Sequence, residues 1–234
     1  MPRTARAAAG GVVYHVINRG NCRMRIFSKP ADFSAFVRLL RQGCQRVPGM
    51  RVLAYCLMNN HWHLVLWPTR DDDLARFVGW VSTTHVRRWR LHRRSVGEGH
   101  LYQGRFKSFP VQRDEHLLAV LRYVEANPVR SAAVSRARDW TPSSLAARTG
   151  GDGQAAAWLS PWPVDCPANW EARVDRPQDE LALSALRASV TRGRPFGSDR
   201  WVQRTAKALG LEHTTRDPWR PWKKKAARTG RRKV

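Results

Sequence analysis

Two histidines separated by a single residue, His61 and His63, stand in the stretch YCLMNNHWHLVLW at 55–67. A β-strand alternates its side chains between two faces, so His61, His63, Val65 and Trp67 point one way and Trp62, Leu64 and Leu66 the other. Two imidazoles side by side on one sheet face form a ready pair of metal ligands. They are also what the solvated face of an edge strand can carry, and a bare His-x-His does not separate the two.

Further along, Tyr123 and Asn127 stand at i and i+4 of a segment with helical periodicity. At 100° per residue they lie about 40° apart, one turn from each other, at the border of a stripe made by Leu117, Val120, Leu121 and Val124. From that border both can reach over the sheet on which the stripe packs. The imidazoles of His61 and His63 with the amide oxygen of Asn127 make a three-ligand site with open positions, suited to Mg²⁺ or Mn²⁺ bridging a phosphate. A tyrosine hydroxyl beside such a metal can attack phosphorus in line. Plainer roles are open to both residues: Tyr123 as a half-buried packing residue, and Asn127 as a helix cap before Pro128. His15, His85 and His116 read as structural.

The elements that must hold these groups follow from the pattern. Residues 11–17 are apolar and β-branched enough for a strand, Asn18-Arg19-Gly20-Asn21 is turn chemistry, and 22–27 alternates again, which predicts a hairpin or bent edge pair. Helical spacing over 31–46, started near Pro30 and stopped by Pro48-Gly49, predicts a helix. Strands follow at 51–58 and 61–67 around Asn59-Asn60. Next comes a helix with Asp71 to Asp73 in its first turn and a stripe of Leu74, Phe77, Val78, Val81, His85 and Trp89. A strand at 101–111 carries Gly104 as a bulge, with Arg105 and Lys107 on one face. A last helix runs 114–127, capped by Asp114 and ended by Pro128. The order β–α–β–β–α–β–α predicts an α+β fold of the ferredoxin-like, split-βαβ kind, one antiparallel sheet with helices on one face. The catalytic domain is expected at 1–135. A mainly helical C-terminal extension is expected at 136–215, with helices at 178–190 and from Ser198 to Leu209, and a disordered basic tail at 216–234.

Lys and Arg total 42 against 18 Asp and Glu, a formal net charge of +24, with an isoelectric point near 11.5. Such an excess predicts a polyanion partner, most simply nucleic acid, and eleven Trp supply rings on which single-stranded bases could stack. No run of about 18 apolar residues is present to span a bilayer, and the N-terminal MPRTARAAAGG lacks the apolar core of a secretory signal. Four scattered cysteines without a CxxC pair suit a reducing cytosol. The expected location is cytoplasmic and nucleoid-associated.

Residues 11–134 resemble the HUH single-tyrosine transposases, and within them the REP-associated tyrosine transposases. The matching pieces are YHVINRGNCRMRIF at 14–27, LMNNHWHLVL at 57–66, QGRFKS at 103–108 and YVEANPVRSAAV at 123–134, and RGRPFGSDRWV at 192–202 is similar to the C-terminal part of that family. The resemblance implies cleavage and rejoining of single-stranded, hairpin-forming DNA such as REP-like palindromes, through a tyrosine joined covalently to a 5′-phosphate. By position Tyr123 is the nucleophile, His61 and His63 are metal ligands and Asn127 is the third ligand. Insertion-sequence relatives more often have Gln at the place of Asn127, and family members commonly have Pro at that of Asn59. Candidate DNA-contacting residues are Arg19, Arg87, Arg88, Arg90, Arg105, Lys107 and Arg130. The long C-terminal region favours a monomer, with the tyrosine acting in cis, over a dimer. Two alternatives remain: a binding protein that holds nucleic-acid hairpins without cutting them, and a replication initiator or relaxase sharing the chemistry.

Overall fold

Alternating apolar residues in VYHVINR (Val13–Arg19, β1), MRVLAYCLM (Met50–Met58, β2), HWHLVLWP (His61–Pro68, β3) and KSFPV (Lys107–Val111, β4) build one four-stranded antiparallel sheet in the order β2-β3-β1-β4. The computed structural model describes residues 8–150 and 155–216. Between the strands lie α1 (Pro30–Arg46) and α2 (Asp73–His92), and α3 (Glu115–Glu125) follows β4. This is the expected ferredoxin-like α+β arrangement, and it places β3 inside the sheet. The histidine pair is therefore not on an edge strand.

The helices, expected on one face, cover both. α1 and α2 bury the Tyr14, Val16, Trp62, Leu64 and Leu66 face, with Phe36, Leu40, Phe77, Val78 and Val81. α3 lays Leu117, Val120, Leu121 and Val124 on the opposite face, against Val13, Val65, Phe109 and Val111. Burying only one side would have left those four strand residues in water, at a cost of about 1.5–3 kcal/mol for each large apolar side chain. Trp62, fully buried, donates from Nε1 to Tyr102 Oη at 2.9 Å, and that hydroxyl lies 2.7 Å from His85 Nδ1. The tryptophan thus pins β3 from beneath and leaves His61 and His63 on the α3 side.

Three expected elements differ. Residues 22–27 are not a strand: a helical turn at Asn21–Arg23, with Cys22 at φ 49°, leads into extended chain whose Ile26 and Phe27 amides both donate to the Asn59 carbonyl, at 2.8 and 3.0 Å. A Cβ on Gly20 would sit 2.4 Å from the Met24 carbonyl oxygen, so this tight return depends on glycine there. The strand expected at 101–111 is shortened to β4, with Gly104 and Arg105 in the preceding loop. Pro128 does not end the helical path: after Ala126 it opens a short helix α4 (Asn127–Arg130), where its missing N–H costs nothing.

Beyond 135 come α5 (Ser144–Thr149), α6 (Trp170–Asp175), α7 (Glu180–Arg192) and α8 (Asp199–Ala208). They seal both sheet edges. On β2, Ser144 Oγ accepts from the Tyr55 amide at 3.0 Å, the Leu57 amide donates to Pro142 O, and Trp140 and Trp162 donate to the Leu57 and Leu53 carbonyls. On β4, Phe196 exchanges backbone bonds with Pro110 and Gln112 at 2.8 and 2.9 Å. Covered edges cannot template strand pairing with another chain. Leu145, Trp170, Val174, Leu183 and Leu186 join the same core cluster as α3. The tail from 217 onwards lies outside the described residues. No helix among the described residues is long and apolar enough to cross a membrane.

Candidate active site

The register of β1, β3 and β2 sets the imidazoles. Arg19 pairs with His61 and Ile17 with His63, while Cys56 and Met58 flank the same pair from β2. The His61 and His63 rings lie 5.0 Å apart, and α3 brings the Tyr123 ring to 5.8 Å from His63, edge-on. His61, His63, Tyr123 and Asn127 line one cavity of about 470 Å³, walled by Arg19, Gln103, Arg105, Lys107, Arg130, Arg187 and Thr191. Two residues 60 positions apart in sequence, His63 and Tyr123, thus face each other across a polar, cationic hollow.

Both histidines are held neutral. Burial, then Arg19 and Arg130, lower His61 from 6.5 to about 4. Burial, then the neighbouring His61 and His15, push His63 well below the ordinary value. A neutral imidazole keeps one lone pair for a ligand. For His61 the choice of nitrogen is fixed: Nδ1 lies 2.6 Å from Asn60 Oδ1, an acceptor only, so Nδ1 carries the proton and Nε2 keeps the lone pair. Asn60 is oriented in turn by Nδ2 donating to the Arg23 carbonyl at 3.3 Å. Two nitrogen donors with an amide oxygen nearby fit a divalent metal with open positions.

Asn127 is the partner whose placement differs most from expectation. Its Nδ2 donates to the Tyr123 and Val124 carbonyls at 3.1 Å each, and its Oδ1 accepts from Arg130 Nη2 at 2.8 Å. The amide nitrogen closes the end of α3, and the oxygen, an acceptor with two lone pairs, is shared with Arg130. Arg130 is itself held over the Tyr123 ring, 4.3 Å from the centroid, and burial lowers its pKa from the ordinary value. Arg19, Arg105 and Lys107 line the cavity.

The arginines of α2 do not. Their helix packs on the Trp62 face, away from the cavity. Arg87 and Arg88 are exposed there, and Arg88 reaches Gln42 Oε1 at 3.4 Å. Arg90 corrects its expected role as a phosphate contact. It is 8% exposed and donates to the Ser95, Glu98 and Gly99 carbonyls, the last at 3.0 Å, tying off the loop after the helix. A guanidinium has five donors and is satisfied by such a ring of carbonyls without any phosphate.

Several residues at the site were not singled out as site residues from sequence, among them Gln103, Arg187 and Thr191 of the cavity wall and His15 behind His63. Gln103 and Arg187 reach it through loop and extension geometry, which no local pattern encodes. His15 does carry a signal, being in phase with Val13 and Ile17, but only the β1–β3 pairing puts it beside His63. Its Nε2 is 2.8 Å from His63 Nδ1. The structural roles of His85 and His116 stand. Asp114, Glu115 and His116 bring ligand atoms within 4.8 Å of one another, yet Asp114 Oδ1 already accepts from the His116 amide at 2.9 Å and lies 2.8 Å from its Nδ1. That group is the cap of α3.

The family model described as "Transposase IS200 like" matches residues 9–127, just over half of the chain, including His61, His63, Tyr123 and Asn127. The chain belongs to the IS200-like transposase family. Among curated proteins none matches the sequence. Among solved structures, the REP-associated tyrosine transposase bound to a REP hairpin is similar in fold. Its TM-score is 0.51 and its identity 18%, over 76% of this chain and 93% of that one. A transposase-like protein from Deinococcus radiodurans R1 shares 19% identity over 53% of this chain and 96% of its own, with a TM-score of 0.37. The first likeness extends the transposase fold beyond the 9–127 match into the C-terminal extension.

Proposed function

We propose that this transposase cleaves and rejoins single-stranded, hairpin-forming DNA through a covalent 5′-phosphotyrosine on Tyr123. The observation that carries the reading is the Tyr123 ring, 5.8 Å from His63, in one cationic cavity with both histidines. His61 Nε2 and His63 would hold Mg²⁺ or Mn²⁺, with Asn127 Oδ1 as third ligand. Such a metal, when bound, polarises the scissile phosphate and offsets charge on the leaving oxygen.

The chain's own residues do the rest. Tyr123 Oη forms a bond to phosphorus as the P–O3′ bond breaks. The phenolic proton is given up and the departing 3′-oxygen takes one, so no proton is gained or lost and the step can run backwards. Arg130, 4.3 Å from the centroid of the Tyr123 ring, holds that ring through a cation–π contact. Arg19, Arg105 and Lys107 neutralise phosphates on either side and position the strand. Sealed sheet edges, and a Tyr123 that meets His63 of its own chain, support a monomer working in cis. A DNA substrate of this kind would be met in the cytoplasm, at the nucleoid.

A second reading, a hairpin-binding protein that does not cut, draws on one observation: the Asn127 amide is already engaged with α3 and Arg130. Incubating the protein with labelled hairpin-bearing single strands and Mg²⁺ or Mn²⁺ separates the two. A covalent adduct lost in Tyr123→Phe and in His61→Ala supports the enzyme. Binding without an adduct in either metal favours the second reading.

A further inference from the structure

His15 and His63 share one short hydrogen bond between otherwise apolar surroundings. His15 is fully buried and His63 2% exposed, with His15 Nε2 and His63 Nδ1 2.8 Å apart. The His15 ring is fixed from three sides: Phe109 at 4.9 Å, His63 at 5.0 Å and Tyr123 at 6.1 Å. Its backbone sits between Val65 of β3 and Phe109 of β4. The remaining nitrogen, His15 Nδ1, is buried with no hydrogen-bond partner among the described residues.

Two nitrogens at that distance need one proton between them, and it can belong to either. If His63 Nδ1 donates, His63 Nε2 keeps its lone pair for the cavity. If His15 Nε2 donates, His63 Nε2 carries a hydrogen and cannot ligate. In the first case His15 Nδ1 is an unpaired donor, in the second an unpaired acceptor. The protein interior therefore leaves one polar atom unsatisfied either way and does not choose strongly between the two. The occupant of the cavity chooses.

We infer that His15 is a positioning residue for the candidate metal site, accepting the Nδ1 proton of His63 and so holding that imidazole with its Nε2 lone pair towards the cavity. The inference rests on reading His61 and His63 as ligands. It gives the two histidines different supports: Asn60 Oδ1, an obligate acceptor, behind His61, and an imidazole that can accept or donate behind His63. Partners behind a ligating histidine are usually a carboxylate, a carbonyl or water, each fixing the tautomer beforehand. A divalent cation, when bound, would complete the choice, whereas an anionic oxygen entering without metal would select the opposite tautomer and meet an N–H.

Manganese affinity of the full chain, read by electron paramagnetic resonance without DNA, tests this. His15→Phe keeps a flat ring against Phe109 but removes the acceptor, whereas His15→Gln restores an amide oxygen. The expected result is Mn²⁺ binding about 10–100-fold weaker in His15→Phe, within about three-fold of the parent in His15→Gln, and a Tm in His15→Phe close to that of the parent, because the unpaired His15 Nδ1 is lost while His63 Nδ1 is left without its partner. Nitrogen-15 spectra with saturating Mg²⁺ should show Nδ1–H on His63 in the parent chain. If His15→Phe binds Mn²⁺ like the parent while His61→Ala does not, the role of His15 is overturned and the metal site stands. If His61→Ala also binds like the parent, the metal reading falls with it. Equal losses in His15→Phe and His15→Gln would assign His15 to packing alone.

Discussion

The guanidinium of Arg130 lies 4.3 Å from the centroid of the Tyr123 ring while its Nη2 donates to the Tyr123 carbonyl at 3.1 Å and to Asn127 Oδ1 at 2.8 Å. One side chain thus touches the proposed nucleophile's ring, its backbone and the proposed third ligand. A lysine can supply the charge but not the planar fork. Arg130→Lys should therefore slow adduct formation about 10–100-fold in single-turnover assays, with hairpin affinity close to that of the parent. An unchanged rate would remove Arg130 from the chemistry.

Arg90 and Arg87 are three residues apart on one helix and should behave oppositely. Arg90 is buried and bonded to three carbonyls, so Arg90→Ala strands those acceptors and should lower unfolding free energy by about 2–4 kcal/mol. Arg87 is exposed, and Arg87→Ala should stay within about 0.5 kcal/mol. Urea titrations of the two variants check the pair. Equal stability of both would contradict the buried placement.

The contrast also shows what the sequence could and could not convey. The period of β3 put His61 and His63 on one face and Trp62 on the other, and the i, i+4 relation put Tyr123 near Asn127. Both are local rules, and both hold in the fold. Which face a cationic helix end turns to water is not local: Arg87, Arg88 and Arg90 read alike as DNA contacts, and only the loop after α2 shows that Arg90 points inward. Asn127 and Pro128 were similarly ambiguous, because a proline ends one helix and opens the next with the same chemistry. His15 needed the strand order β2-β3-β1-β4, a long-range fact.

Salt dependence separates the two basic surfaces. Lys107 lines the cavity and faces the strand's proposed path, whereas Arg87 lies on the helix layer behind the sheet. Each lost phosphate contact lowers the magnitude of the slope of log K against log salt by about 1. Lys107→Ala should reduce the slope for a hairpin by that amount, and Arg87→Ala should leave it unchanged. Fluorescence anisotropy across about 50–200 mM salt measures both. A smaller slope in Arg87→Ala would mean that the DNA wraps to the opposite face.

Acid should weaken the fold well before its carboxylates are protonated. Burial lowers both His15 and His85 from 6.5 to about 3. The folded chain keeps them neutral, while the unfolded chain takes up a proton at each below 6.5. Their contribution is therefore full above that value and is lost as the pH falls towards 3. Between about pH 6 and pH 4 each group removes roughly 1.4 kcal/mol per pH unit, so the two together remove about 3. Glu125 acts with the opposite sign. Burial raises its pKa although Ser144 Oγ and Trp170 Nε1 hold it at 2.6 and 2.7 Å, so its protonation on acidification favours the fold. With one carboxyl against these two histidines, and His61 and His63 lowered in the same direction, the net effect is destabilisation. Urea midpoints should fall steadily from pH 6.5 to pH 4.5. The decline should be shallower by one proton in His15→Gln and steeper in Glu125→Gln, where the opposing group is gone. A midpoint independent of pH over that range would show that these buried histidines are not held neutral.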